Sequence, residues 1–196
     1  MRADDTPDEP RWLDADEQRA WLALARLLVR LPALLSAQLQ HDSDLTHFEY
    51  TVLTCLSEAD DRTLRMSELA QLSEGSLSRL SQVVGKLEQR GWVIRRRSRD
   101  DRRAILATLT DAGMEAVVAA APGHVNAVHQ LVIDPLTPEQ LEHLRSACVS
   151  IMKAAEGELP WFPGIDHGRH AGTGSNGGAA ERIALGGCRD GLTAGP

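Results

Sequence analysis

The sequence predicts a mainly α-helical fold carrying one small β-hairpin, an α+β arrangement, and three observations lead to it. Apolar residues recur at three- and four-residue steps over most of the chain up to about residue 156, the period of helices that bury one face. Met66 to Arg90 holds two such helical patterns separated by Glu74-Gly75, the spacing of a helix-turn-helix. An arginine-dense stretch, Arg95 to Arg103, then lies between two short β-like runs, Trp92-Val93-Ile94 and Ala104 to Leu109. The resulting order, helix, strand, helix, helix, strand, strand, is that of a winged helix-turn-helix with further helices on both sides.

The elements follow in order. Residues 1–11 are acidic, lack an apolar stripe and are expected to be disordered. A long helix is expected from Trp12 to about Gln40, with Trp21, Leu24, Leu27, Leu28, Leu31, Leu34 and Leu35 as its stripe and Pro32 kinking or dividing it. At about 1.5 Å per residue it spans roughly 40 Å, more than a small winged domain needs for its own core. Thr46 and Glu49 fit a capping box for a helix that sends Phe48, Val52, Leu53 and Leu56 inward and ends in the acidic turn Glu58 to Asp61. Thr63-Leu64-Arg65 is expected to join the hairpin as a third strand, and Ser67 to cap the next helix.

The helix from Ser76 to Arg90 has Leu77, Leu80, Val83, Val84 and Leu87 as its buried stripe, and Gly91 ends it as a left-handed C′ residue. Thr110 should cap a helix through Met114, Val117 and Val118 that Pro122-Gly123 interrupts. Thr137-Pro138-Glu139-Gln140 is a further helix start, leading to Leu141, Leu144, Cys148, Ile151 and Met152. From residue 157 the composition shifts to glycine, 11 of the last 40 residues, and disorder is expected.

The chain is acidic overall, with a net charge of −7, but its charge is unevenly placed. Arg62 to Leu109 holds 11 Lys/Arg against 5 Asp/Glu, leaving 10 against 23 elsewhere. A basic surface on an acidic body steers one face toward a polyanion and repels the others. The outward face of the second helix carries Ser76, Ser78, Arg79, Ser81, Gln82 and Lys86. Short hydroxyls permit close backbone approach, while Arg and Gln can pair bidentately with guanine and adenine edges in a major groove. The wing arginines, with Arg97, Arg99, Arg102 and Arg103 foremost, suit a phosphate backbone or a minor groove. Double-stranded DNA is therefore the expected partner.

Other chemistries find less support. Asp100 and Asp101 stand among guanidinium groups and are expected to brace the loop by salt bridges. No nucleophile–base pair, phosphate-cradling loop or cofactor motif is present, so no enzyme is expected. His41 with His47, or His124 with His129, lack ideal helical spacing and supporting ligands, so no metal site is expected. Cys55, Cys148 and Cys188 form no CxxC pair. Cys55 is expected to be buried, Cys148 to pack at an interface and Cys188 to be exposed, which leaves a redox-sensing regulator as a lesser alternative. With no apolar run near 18 residues and no leader-like start, no membrane contact and a cytoplasmic location are expected. The main rival is a winged helix that grips an acidic protein without reading DNA sequence.

Two segments add a resemblance. Asp101-Arg102-Arg103 followed by Leu109-Thr110-Asp111-Ala112-Gly113, and the later VIDPLTPEQLEHL, resemble the wing signature and final helix of the MarR family of bacterial winged-helix regulators. The resemblance spans about Trp12 to Glu156. It implies a homodimer whose base is formed by residues 12–40 and 110–156, with residues 46–109 as the winged helix, binding an inverted-repeat operator, as a repressor. It implies that Arg103 is the wing's probe, held by Asp101. It further implies a small-molecule effector, for which Trp21, Arg26, His47 and Tyr50 offer an aromatic wall and a cation suited to an anionic phenolic ligand.

Overall fold

The structure, a computed structural model, describes residues 10–99, 101 and 103–156. Expectations for residues 1–9, for Asp100 and Arg102, and for the glycine-rich segment with Cys188 lie outside the described residues. The elements are α1 (Ala15–Ser43), α2 (His47–Ser57), a 3-10 turn (Asp60–Arg62), β1 (Thr63–Arg65), α3 (Met66–Leu72), α4 (Leu77–Gln89), β2 (Val93–Arg97), β3 (Ile105–Leu109), α5 (Asp111–Val128), a π turn (His129–Ile133) and α6 (Pro138–Glu156). The fold is mainly α with one small antiparallel sheet, as the sequence predicts. The chain divides into two compact units at Leu34–Leu35.

In the first unit, helix α1 begins at Ala15, not Trp12, because the Asp14 carboxylate accepts the backbone N–H groups of Asp16 and Glu17, each at 2.8 Å. Pro32 does not divide the helix. It deletes only the bond to the Leu28 carbonyl, and both residues are exposed, so water can take that acceptor. Much of the expected stripe is uncovered: Trp21, Leu27, Leu28 and Leu34 are each between 45% and 61% exposed, while Leu24 and Leu31 are half-buried and Leu35 is buried.

In the second unit, Thr46 and Glu49 cap α2 reciprocally: Thr46 Oγ1 accepts the Glu49 N–H and the Glu49 carboxylate accepts the Thr46 N–H. This helix supplies the centre of the core, with Tyr50, Val52, Leu53 and Leu56 fully buried. Leu69 of α3, Leu80, Val84 and Leu87 of α4, Ala107 and Leu109 of β3, and Val117 and Ala120 of α5 close around it. Each large apolar side chain so buried contributes about 1.5–3 kcal/mol before the entropy of ordering it is counted. Cys55 belongs to the same core, as expected.

Helix α3 starts one residue before the expected cap. Arg65 occupies the cap position, its N–H bonded to the Glu68 carboxylate at 3.2 Å, so Ser67 falls inside the first turn. The turn to α4 is made by Glu74 at φ 52° and Gly75. At the other end of α4, Gly91 adopts φ 74°, its N–H bonds Glu88 and the Trp92 N–H bonds Leu87, a full Schellman closure.

The sheet order is β1-β3-β2, so the expected third strand is present and β3 is central. The register pairs Val93 with Leu109 through Arg97 with Ile105. The strands are therefore longer than Trp92–Ile94, and Arg95, Arg96 and Arg97 lie in β2, not in the loop. Backbone pairing extends the ladder where the side-chain pattern has already turned polar.

Thr110 caps α5 by accepting the Gly113 N–H, and Thr137 and Gln140 cap α6 reciprocally. Helix α5 runs through Pro122 without a break. Two helices among the described residues, Ala15–Ser43 and Asp111–Ile133, have the length and average apolarity of a membrane span, although neither is an unbroken apolar run. Arg26 and Arg30 interrupt the first, and the polar side chains His124, Asn126, His129 and Gln130 interrupt the second.

Candidate nucleic-acid interface

The outward face of α4 is built by its cap and its stripe. Ser76 Oγ accepts the Arg79 N–H at 3.2 Å, which fixes where the first turn begins. With Leu80, Val84 and Leu87 buried, Ser76, Ser78, Arg79, Ser81, Gln82 and Lys86 are all exposed. Leu77 departs from the expected stripe and is 55% exposed, because it sits in the first turn, where the helix extends beyond the core. The Arg79 guanidinium lies over the Phe48 ring of α2, 3.9 Å from its centroid.

The wing sorts its arginines by strand geometry. Arg95 turns back onto α4, donating its Nε–H to Glu88 at 2.7 Å while its backbone N–H reaches the other carboxylate oxygen at 2.8 Å. These bonds hold the Glu88 carboxyl below its ordinary range. Arg96, Arg97, Arg99 and Arg103 are exposed, and Arg102 is outside the described residues. Asp101 acts on the loop backbone: one carboxylate oxygen accepts the Arg103 N–H at 3.0 Å, and the other stands 3.8 Å from the Arg65 guanidinium. The family resemblance implies that Asp101 holds Arg103; Asp101 meets the Arg103 backbone, and its ionic neighbour is Arg65, brought there by the β1–β3 pairing. Ser98 is buried, its N–H bonded to Ala104 and its hydroxyl accepting the Asp101 N–H, so the loop is closed from within.

The four residues advanced for an effector pocket are placed differently. Trp21 and Arg26 are exposed on α1 in the first unit. In the second unit, Tyr50 is fully buried and His47 half-buried, and both rings face His124 of α5, with centroids 4.8 Å and 5.7 Å away. The Tyr50 hydroxyl and both His124 ring nitrogens have no hydrogen-bond partner. Burial, with the Glu58 charge adding, pushes the Tyr50 hydroxyl up to about 12. Burial lowers the pKa of both His47 and His124, and for His124 the charge of His47 lowers it further. Periodicity does not distinguish a buried histidine from a surface one, so the sequence carries no sign that His124 is buried. Among the described residues, no three His, Cys, Asp or Glu side chains are grouped so as to hold a metal ion.

Comparison with known proteins bears on this surface. The family model described as "MarR family" matches residues 45–105, from the start of α2 to the first residue of β3. A crystal structure of Sco3205, a MarR family transcriptional regulator from Streptomyces coelicolor, in complex with DNA is 41% identical, with a TM-score of 0.73, over 76% of this chain and 94% of that one. AbsC, another MarR family regulator from Streptomyces coelicolor, is 36% identical with a TM-score of 0.71 over 76% of this chain and all of that one. The transcriptional repressor MprA of Escherichia coli is 28% identical over 55% of this chain, and the match spans 62% of its length.

Proposed function

The chain belongs to the MarR family of winged-helix, DNA-binding transcriptional regulators, which are not enzymes, and from that premise we propose that it represses transcription as a homodimer on an inverted-repeat operator. The observation that carries this is the joint exposure of the α4 face around Ser78, Arg79 and Gln82 and of the wing arginines, on one compact unit. In this reading Ser76, Ser78, Arg79, Ser81 and Gln82 meet base edges or adjacent phosphates in the major groove, with Lys86 on the backbone. Arg97, Arg99, Arg102 and Arg103 follow the neighbouring minor groove, with Asp101 setting the loop. Residues 46–109 form the reading domain. The exposed apolar side chains of α1 and α6, Leu27, Leu28 and Ile151 among them, are covered by a second copy rather than by lipid. A cytoplasmic location follows from work on DNA.

A two-fold dimer fixes half-sites about one helical turn apart, roughly 10 bp. A gel shift on DNA flanking the protein's own gene tests the assignment. Wild type is expected to bind, and Arg79→Ala and Arg103→Ala to lose binding while remaining folded; wild-type binding by both variants refutes these contacts.

An effector is supported by one observation, the buried Tyr50 hydroxyl and His124 nitrogens left without partners. Such groups are costly unless something satisfies them. A small aromatic acid or phenol reaching His47 and Tyr50 would supply the missing bonds. Titration of the DNA complex with benzoates and phenols should release the DNA, and His47→Ala should blunt that release. If no member of the panel shifts the binding curve, the effector reading fails.

A further inference from the structure

We propose that Phe48 is a positioning residue for sequence reading: its ring presets the Arg79 guanidinium at the start of α4, so that base discrimination there depends on a side chain of a different helix. The inference rests on the DNA-reading assignment above and names a residue that assignment does not include. The guanidinium carbon lies over the ring, 3.9 Å from its centroid. A guanidinium attracted to a ring face spends none of its N–H donors on that contact, which leaves them free for a bidentate contact with a base. An arginine held this way loses less rotamer freedom when DNA arrives.

The ring is itself fixed. Phe48 packs against the hydrophobic core, and its helix is capped just before it by Thr46 and Glu49. On its other side the ring edge fills the space at Gly75, where an added Cβ would lie 2.5 Å from Cζ and 2.8 Å from Cε2. The left-handed residue of this turn is Glu74, so what forbids a side chain at position 75 is the Phe48 ring and not the backbone conformation. Phe48 therefore touches both the turn of the helix-turn-helix, at Gly75, and Arg79 in the first turn of the reading helix. The contact joins α2, which carries His47 and Tyr50, directly to the reading surface.

The test begins with duplexes selected by wild-type protein from a random library. Affinity for the selected and for a random duplex is then measured with Phe48→Leu and with pentafluorophenylalanine at position 48, which keeps the ring's shape but reverses its electrostatic face. Each variant is expected to bind the selected duplex about three- to five-fold more weakly, the strength of an exposed cation–π contact. Affinity for random duplex should be unchanged, as should the thermal midpoint of the fluorinated protein. The loss should map to the base pair whose identity Arg79→Ala also relaxes, and Phe48→Leu should add nothing in an Arg79→Ala background. Wild-type discrimination in the fluorinated variant overturns the proposal, whether or not Phe48→Leu folds. An equal loss on random duplex also overturns it, by making the contact one to phosphate. Wild-type protein that cannot separate selected from random duplex overturns the DNA-reading assignment itself, and this inference with it.

Discussion

Gly113 shows how little room a single residue has near the wing's exit. A Cβ there would lie 2.3 Å from the Trp92 carbonyl oxygen and 2.7 Å from Leu109 Cδ1. That carbonyl is already engaged, accepting the Thr110 N–H at 2.9 Å, and the Thr110 hydroxyl donates to Gly91. The backbone cannot yield cheaply, so Gly113→Ala is expected to lower stability by about 1–3 kcal/mol in urea unfolding, the range for overpacking a tight site. His124 presents the opposite case. Its folded pKa and that of His47 lie below the ordinary 6.5, so the unfolded chain takes up protons that the folded chain refuses. Stability is complete above pH 6.5 and declines as pH falls from there toward the depressed folded values. Thermal midpoints measured between pH 7.5 and 5.5 should show this decline. His124→Leu should flatten it without destabilising the protein at pH 7.5, because it removes two nitrogens that have no partners. A steeper decline in the variant would contradict this account.

Among the elements, the wing is where sequence and structure diverge most instructively. Three helix caps were legible because they are local: Thr46, Thr110 and Thr137 each accept a backbone N–H three residues on, whereas the cap expected at Ser67 falls at Arg65. The left-handed Gly91 was legible for the same reason. The strand ends were not, because Arg95 to Arg97 are held by a ladder to Ile105–Ala107 that no local pattern announces. Nor were the pairings Glu88–Arg95 and Arg65–Asp101, which depend on how the hairpin folds over α4 and β1. Leu77 was misplaced because helical period states which face a residue is on, not whether the core extends that far along the helix. Since Asp101 holds the Arg103 backbone, Asp101→Ala should weaken operator binding by about 2- to 10-fold, the worth of one hydrogen bond, with little change in unfolding midpoint. Asp101→Asn keeps an acceptor oxygen and should recover most of that loss. Equal affinity for all three proteins would show that loop order is irrelevant to binding.

For the whole molecule, the expected homodimer rests on apolar surface in two places. Leu27, Leu28 and Val29 in the first unit, and Ile151 and Met152 on α6, are 40–73% exposed. The sequence signals this surplus through the length of the first helix, but periodicity alone does not say what covers it. Light scattering is expected to give a dimer, and Leu28→Glu with Ile151→Glu a monomer that binds operator far more weakly. If the dimer neutralises about eight phosphates, log affinity should fall against log salt with a slope near −7. A slope near zero would remove the electrostatic basis for the wing's role.

Strand β3 is paired on both sides, to β1 through Leu106–Thr108 and to β2 along its full length, and it runs through Thr110 straight into α5. In kinetic terms this makes it the slowest part of the wing to open. Its amide hydrogens should exchange with solvent only when the whole unit unfolds, while those of Asp101 and Arg103, each held by one side-chain acceptor, should exchange through local fluctuation. The strand that anchors the wing then stays closed for as long as the protein remains folded.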